Sequence, residues 1–283
     1  MEFRVLGPLR VREDSRDHTP TAPKQRQLLS LLLLNAGDVV PSRTCVAELW
    51  RGSPPNSAAA TLQSYVLSLR RNFTSVPSVG SQPAARRVLE TRGDGYSMAV
   101  PGETLDLERF RSLARRGSAQ LHRDDRRASY LLSLALGVWQ GRALDGVAVG
   151  PVLSGQLHVL EEEWLSVRAQ RIDADLRLGR HRELMEELAR LAAQCPVHEY
   201  VQAQYMIALY RSGHRQRALD VMARLEQSLR EELGLEPSSW VEHLHHAIVR
   251  GDSPAEAGRL LPGSADSRRR AGAGARTGWE PPF

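Results

Sequence analysis

The chain has 283 residues, of which 41% are hydrophobic and 25% charged, and carries a formal net charge of +5. That length favours two domains over a single core, and the composition excludes fibrous and wholly disordered classes. The longest apolar run, LLSLLLL at 28–34, is far short of the roughly 18–20 residues a membrane span needs, and the opening MEFRVLGPL lacks a signal-peptide pattern. Cys45 and Cys195 lie far apart and read as reduced, buried small hydrophobes, so a cytoplasmic protein without membrane contact is expected. Residues 1–100 hold 13 Lys+Arg against 8 Asp+Glu, whereas residues 101–283 hold 25 of each. The basic excess thus sits in the first third, where an anionic partner is expected. Lys24 is the only lysine; this arginine bias is read as codon usage of a GC-rich genome, not as phosphate recognition.

In FRVLGPLRV at 3–11, Phe3, Val5, Leu9 and Val11 alternate as in two half-buried strands about a Gly-Pro turn. DSRDH at 14–18 is a polar turn. In TAPKQRQLLSLLLLNAG, Pro23 suits a first helical turn, Leu28, Leu31, Leu32 and Leu34 form a stripe, and residues 35–37 stop the helix. VVPSRTCVAELW predicts a short second helix capped by Ser42, with Val46, Leu49 and Trp50 inward. A third helix is expected over 56–73. TSVPSVGSQPAA at 74–85 reads as loop, and RRVLETRGDGYSMAV as a hairpin with strands 87–92 and 96–100 about Gly93-Asp94-Gly95.

At about 100° per residue, Leu62, Val66, Leu69 and Phe73 of the third helix share one narrow sector. The opposite side collects Ser57, Ala60, Thr61, Ser64, Ser68 and Arg71, with Leu67 at its border as the bulky apolar exception. A helix that only packs usually carries long Glu/Lys pairs on its wet side. Short side chains permit close approach, and a major groove roughly 12 Å wide admits a helix. Hydroxyls of Thr61 and Ser64 suit base edges, Thr61 also a thymine methyl, and Gln63 an adenine. Arg71 is placed for a phosphate or a guanine, with Tyr65 and Arg70 at the flanks. The N-terminus of the second helix, at Ser42 and Arg43, offers N–H groups to a phosphate. Lys24 and Arg26 read as a solvated helix end, and Tyr96 as an anchor of the hairpin.

Taken together, FRVLGPL at 3–9, PKQRQLLSLLLLNAGDVV at 23–40, ELW at 48–50, SAAATLQSYVLSLRR at 57–71 and TRGDGY at 91–96 resemble an OmpR-type winged helix-turn-helix. More narrowly, they resemble that domain of the Streptomyces antibiotic regulatory protein (SARP) family. The resemblance implies backbone contacts by Tyr65 and Arg70 and a minor-groove position for Arg92, where a narrow A·T-rich groove attracts arginine.

The remainder reads as all helix, over 106–121, 124–139, 157–178, 181–194, 198–212, 215–233 and 237–250, with glycines including Gly150 and Gly155 at the joints. ADLRLGRHRELMEELARL at 174–191 aligns with ALYRSGHRQRALDVMARL at 208–225, a period of 34 residues. That is the tetratricopeptide period, in which each helix pair buries its apolar face only by stacking. DLERF at 106–110, LALGVWQGRAL at 134–144, LEEEWLSVRAQRIDADLRLGRH at 160–181, ALYRSGHRQRAL at 208–219 and EELGLEPSSWVEHLHHAI at 231–248 resemble the SARP family's bacterial transcriptional activation domain. The family usually has Pro where this chain has Arg142. The fold class expected is therefore mainly α with a small β component: a winged helix-turn-helix over 1–101, a tetratricopeptide-like domain over 102–250 and a disordered tail over 251–283.

No phosphate-loop, G-x-S-x-G or H-E-x-x-H motif is found, so no catalytic residue and no cofactor are expected. EHLHH offers Glu242, His243, His245 and His246 as possible metal ligands, of which Glu242, His243 and His246 could share a helix face, but no partner motif supplies further ligands, and they read as a solvated helix end. The resemblance implies a transcriptional activator of a secondary-metabolite gene cluster. It would bind direct repeats in double-stranded promoter DNA near the −35 element, with a second protomer side by side, and recruit RNA polymerase including its sigma factor. The alternatives are a repressor or architectural DNA binder of the same fold, and a helical-repeat protein-interaction adaptor.

Overall fold

The computed structural model describes residues 1–100 and 104–253; the expected disordered tail lies outside the described residues from 254 onward. Packing divides the chain into two compact units. One joins Met1–Arg116 to Leu131–Arg168, and the other joins Gly117–Tyr130 to the residues from Ala169 onward.

In the first unit, β1 (Glu2–Arg4), β2 (Arg10–Glu13) and β3 (Arg16–Asp17) form an antiparallel sheet in that order. The polar turn expected at 14–18 is shorter than its sequence suggests. Asp14 takes a left-handed φ of 53°, and Arg16 and Asp17 pair straight back onto Glu13 and Arg12. Helix α1 (Pro23–Leu34) buries Leu28, Leu29, Leu31, Leu32 and Leu33 and leaves Leu34 half-buried. This differs from a one-sided stripe because α2 (Ser42–Trp50), α3 (Ala58–Thr74) and β6 (Gly95–Met98) all pack on it. Lys24 is not a solvated end: its Nζ donates to the carbonyl oxygen of Leu49 and ties α1 to α2. Phe3 meets Phe73 edge to face at 6.3 Å, joining the first sheet to α3.

A second sheet has the order β4 (Val40–Pro41), β6 and β5 (Leu89–Arg92). The segment 74–85 is not all loop, since α4 (Gln82–Val88) begins inside it and takes what was expected as the start of the first hairpin strand. Ser81 Oγ accepts the N–H of Ala84 at 3.3 Å, and Pro83 sits in the first turn, a pairing that starts a helix in unpromising composition.

Two carboxylates, one buried and one half-buried, tie this unit together. Glu48 is fully buried and accepts the backbone N–H groups of Gly150 at 2.6 Å, Val152 at 2.9 Å and Leu153 at 3.0 Å. It also accepts Gln27 Nε2 at 2.8 Å. These main-chain donors open α7 (Pro151–Arg177), whose first turn has no intrahelical acceptors and whose dipole favours an anion. Helix α7 therefore starts six residues before position 157, with Pro151 first. Gly155 is no joint but lies inside α7 facing open space, whereas a Cβ on Gly150 would collide with the Glu48 carbonyl. The second carboxylate, Asp106, opens α5 (Asp106–Ser118) and accepts Val5 N and Leu6 N, each at 2.9 Å. Burial pushes its pKa up against these bonds, which pull it down. Gln140 N donates to Leu6 O at 2.7 Å and Leu144 N to Val5 O at 2.9 Å, so the WQGRAL segment lines the chain that leaves β1.

Helix α6 (Asp125–Leu136) and α7 each contribute residues to both units. In the second unit α8 (Met185–Gln194) packs on α9 (Glu199–Arg211), α9 on α10 (Arg215–Leu233), and α11 (Ser239–Arg250) on both α9 and α10. The 34-residue repeat is visible as geometry. Gly179 and Gly213 take left-handed φ values of 78° and 83°, and Leu188, Met222, Leu191 and Leu225 are buried at matched places. Helix α9 is buried throughout 201–209, including Gln204, which donates to Ala169 O at 2.8 Å and to Asp173 at 2.6 Å. Burial pushes the Asp173 carboxyl up and the Tyr200 phenol further up; the two share a hydrogen bond of 2.5 Å. Among the described residues no helix is long and apolar enough to cross a membrane, and no three His, Cys, Asp or Glu gather as for a metal.

Replacing Glu48 by Ala strands four donors and is expected to cost about 3 kcal/mol of stability; Glu48→Gln, which keeps the size but loses the charge, is expected to cost less. Urea unfolding of the full chain followed by tryptophan fluorescence measures both. A second prediction concerns acid. Hydrogen bonding to Ser78, whose N–H lies 2.9 Å from Glu13 Oε2, lowers the Glu13 pKa from the ordinary 4.5 to about 2. A depressed carboxylate pKa stabilises the fold above the unfolded value and stops doing so as pH falls through the folded one. The stability advantage of wild type over Glu13→Gln is therefore expected to be full above pH 4.5, to shrink below it and to vanish near pH 2, as read by thermal melts across that range.

Candidate nucleic-acid interface

Helices α2 and α3 are joined through a turn in which Arg51 adopts a left-handed φ of 51°. Ala58, Leu62, Val66, Leu69 and Phe73 of α3 are buried. On the reverse side Ala59, Ala60, Gln63, Ser64, Leu67 and Arg71 are exposed, a stripe at i, i+3, i+4, i+7 and i+11 counted from Ala60. Ser57 precedes the helix and is exposed, while Thr61, Tyr65, Ser68 and Arg70 are half-buried along its edges. Leu67 lies in the middle of the open stripe and is 55% exposed; placing it at the border understated it.

The edge residues hold α3 in place. Tyr65 stacks on Trp50 with ring centroids 6.4 Å apart and 16° between planes. Ser68 Oγ accepts Gln25 Nε2 at 3.0 Å. Arg70 donates from Nε to Leu89 O at 2.9 Å and from Nη2 to Thr91 Oγ1 at 2.8 Å, so its guanidinium bridges α3 and the hairpin. Burial, then the charge of Arg86, lowers the Arg70 pKa. Ser64 Oγ donates back to Ala60 O at 3.0 Å, leaving its lone pairs for an outside donor. Gln63 and Arg71 have no side-chain partner among the described residues, and neither does the Thr61 hydroxyl.

The hairpin pairs Arg92 with Gly95 and Thr91 with Tyr96. Gly93 turns the tip with a left-handed φ of 57°. Gly95 serves a different purpose from the one expected: it belongs to β6, and a Cβ there would meet the carbonyl of Val40 on β4. Tyr96 is buried. Arg92 is exposed at the tip and paired with Glu90 at 2.5 Å. The N-terminus of α2 is less open than expected. Ser42 does not cap it, because Ser42 N donates to Asp94 O at 2.9 Å and the Ser42 hydroxyl donates to the same oxygen. Arg43 beside it is exposed and without a partner among the described residues. The Ser42–Asp94 contact and the Arg70 bridge were not legible from spacing, since both join residues distant in sequence and both reach a main-chain oxygen.

Comparison with known proteins agrees with this geometry. Residues 17–98 match the family described as transcriptional regulatory protein, C terminal, and residues 105–249 match the bacterial transcriptional activator domain. The regulatory protein DnrI of Streptomyces peucetius is 42% identical over 253 residues, spanning 89% of this chain and 93% of that protein. The regulatory protein AfsR of Streptomyces griseus is 34% identical over 253 residues, but there the chain spans only 25% of the relative. Among solved structures, Mycobacterium tuberculosis EmbR in complex with a low-affinity phosphopeptide superposes with a TM-score of 0.83 at 28% identity, covering 95% of this chain and 70% of that one. An OmpR-type domain followed by an activation domain, with a near full-length relative in DnrI, makes the chain a member of the SARP family of DNA-binding transcriptional regulators.

Proposed function

We propose that the chain activates transcription of a secondary-metabolite gene cluster by reading promoter DNA through α3 and the hairpin. Residues 1–101 form the DNA-reading part and residues 102–250 the activating part in this reading. The observation that carries it is the open stripe of α3. It has no carboxylate, half of its side chains are small, and it ends in Arg71, which has no partner among the described residues. Such a face fits a major groove, where bulk would hold the helix away and where Ser, Thr and Gln find hydrogen-bond partners on base edges.

In the complex, Ser57, Thr61, Gln63 and Ser64 face the bases, Ser68 borders them with the O–H of a hydroxyl that already accepts Gln25, and Arg71 takes a phosphate or a guanine. Tyr65 and Arg70 border the backbone; Arg70 keeps the hairpin in register with α3 through Nε and Nη2 and has Nη1 left for a phosphate. Arg92 enters the minor groove beside α3 and exchanges Glu90 for the deep negative potential there. Arg43 meets a phosphate as a side chain, since the first N–H of α2 is occupied by Asp94. The family relationship supports binding to direct repeats near a −35 element by side-by-side protomers. Repeats one helical turn apart put both protomers on one DNA face through a heterologous contact. It equally supports RNA polymerase, with its sigma factor, as the partner of the helical part.

Footprinting on promoters adjacent to the gene, followed by transcription with purified polymerase, tests this reading; a transcript that falls on adding the protein makes it a repressor. Removing Arg71 and Arg92 together, as Ala, is expected to cost about 3 kcal/mol of binding. Each phosphate-directed arginine lost should flatten the salt dependence by about one unit of slope. Normal promoter binding by that double variant would favour an adaptor. Glu90→Gln is expected to act oppositely. Freeing Arg92 from a surface ion pair worth up to about 1 kcal/mol should tighten binding by about two- to fivefold in fluorescence anisotropy at low salt.

A further inference from the structure

Leu67 stands out on the proposed DNA-reading face. It is a large apolar side chain, 55% exposed, on a stripe otherwise made of Ala59, Ala60, Gln63, Ser64 and Arg71. It is not an overflow of the core, because Leu62, Val66, Leu69 and Phe73 supply that on the opposite side of the same helix. At about 100° per residue it falls between Gln63 and Ser64, one turn before it, and Arg71, one turn after it. Leu67 stands above its shorter neighbours Ala60 and Ser64 and is the one apolar side chain of any length on the stripe.

We propose that Leu67 is a specificity-determining residue that reads the C5-methyl group of a thymine in the operator. This rests on the reading of α3 as the major-groove helix. Leucine has no donor or acceptor and gains nothing from a phosphate or from a polar base edge. The apolar group that base pairs present in the major groove is the thymine methyl. Packing leucine on that methyl removes two apolar surfaces from water. The same side chain set against cytosine would cover the N4 amine without offering it an acceptor, and a donor shut off from water is penalised. Leu67 thereby prefers T·A to C·G at its position both by attraction and by exclusion. The half-buried Thr61, one to two turns earlier, carries its own methyl and reads a different position.

The test removes the methyl and nothing else. Operator duplexes defined by footprinting are made with single thymines replaced by deoxyuridine, and the affinity of the full chain is measured for each. Wild type is expected to lose about fourfold at one position, the value of one buried methyl-sized group. At that position Leu67→Ala binds thymine and uracil duplexes equally, while any uracil penalty elsewhere persists. Leu67→Met, which keeps an apolar tip, retains the discrimination. Cytosine at the position costs wild type more than uracil does, and 5-methylcytosine recovers part of the loss. Leu67 is exposed, so its variants keep the fold; thermal melts confirm this before binding is measured. A Leu67→Ala protein with the wild-type ratio of thymine to uracil affinity at every position overturns the proposal, whether its binding is unchanged or uniformly weaker. So does one that binds DNA as wild type but fails to activate transcription, because a protein partner then covers the leucine. Absence of any duplex binding by wild type would instead remove the reading of α3 itself, and this inference with it.

Discussion

The Glu48 carboxylate is the constraint around which the first unit is arranged. A fully buried anion is tolerated only where donors replace water, and here three backbone N–H groups of the α7 start and the amide of Gln27 do so. Its own main chain takes part: Glu48 O accepts Gln27 Nε2 at 2.9 Å and Leu49 O accepts Lys24. Nearby, Arg51 Nη2 donates to Val149 O at 3.0 Å. The last carbonyls of α2 thus meet donors from α1, while the Glu48 side chain takes the first N–H groups of α7 and Arg51 donates to the chain just before that helix. One acidic side chain sets α2 against α1 and fixes where α7 begins. Because α3 packs on α1 and α2, it also stands behind the face proposed to read DNA.

That face depends on a division between residues that position and residues that remain open. Tyr65 is spent on Trp50, Ser68 on Gln25 and two donors of Arg70 on the hairpin. Each contact runs from an edge of α3 to a different element, so rotation of α3 about its axis would break all of them. The centre of the stripe makes no comparable contacts. A helix braced along both edges can keep an unbraced middle without losing orientation, and preorganisation of this kind lowers the cost of binding.

Much of this was legible in the sequence because periodicity records burial. The order of strands and helices, the buried sector of α3 and the 34-residue repeat each follow from spacing, and Gly179 and Gly213 mark the repeat in both sequence and geometry. What periodicity does not record is a polar group buried for a reason elsewhere in the chain. Glu48 reads as an ordinary helix surface residue until Gly150 and α7 are brought to it across about a hundred residues. Helix α4 was hidden because Gly80, Pro83 and nearby serines resemble loop composition, while the feature that starts it is one serine hydroxyl. Gly155 looked like a joint because glycine often ends helices, yet in an exposed helical position its cost is only about 1 kcal/mol. The compact units also depart from a division near residue 101, since Glu48 and Asp106 bond across that point to chain that pattern alone assigns to one side.

Charge makes the same point more sharply. The excess of +5 in residues 1–100 counts every arginine alike, but the fold does not. Arg4, Arg10, Lys24, Arg51, Arg70 and Arg92 all hold carboxylates, carbonyls or side-chain oxygens of the protein itself. Arg43, Arg71, Arg86 and Arg87 are exposed with no partner among the described residues. An unpaired cation keeps its full field and gives up only water when a phosphate arrives, whereas a paired one must first release its carboxylate. The electrostatic attraction for a polyanion is therefore carried by fewer groups than composition implies. Within the stripe of α3 it is carried by Arg71 alone, and the rest of that surface is left to discriminate by shape, hydroxyls and one leucine rather than by charge.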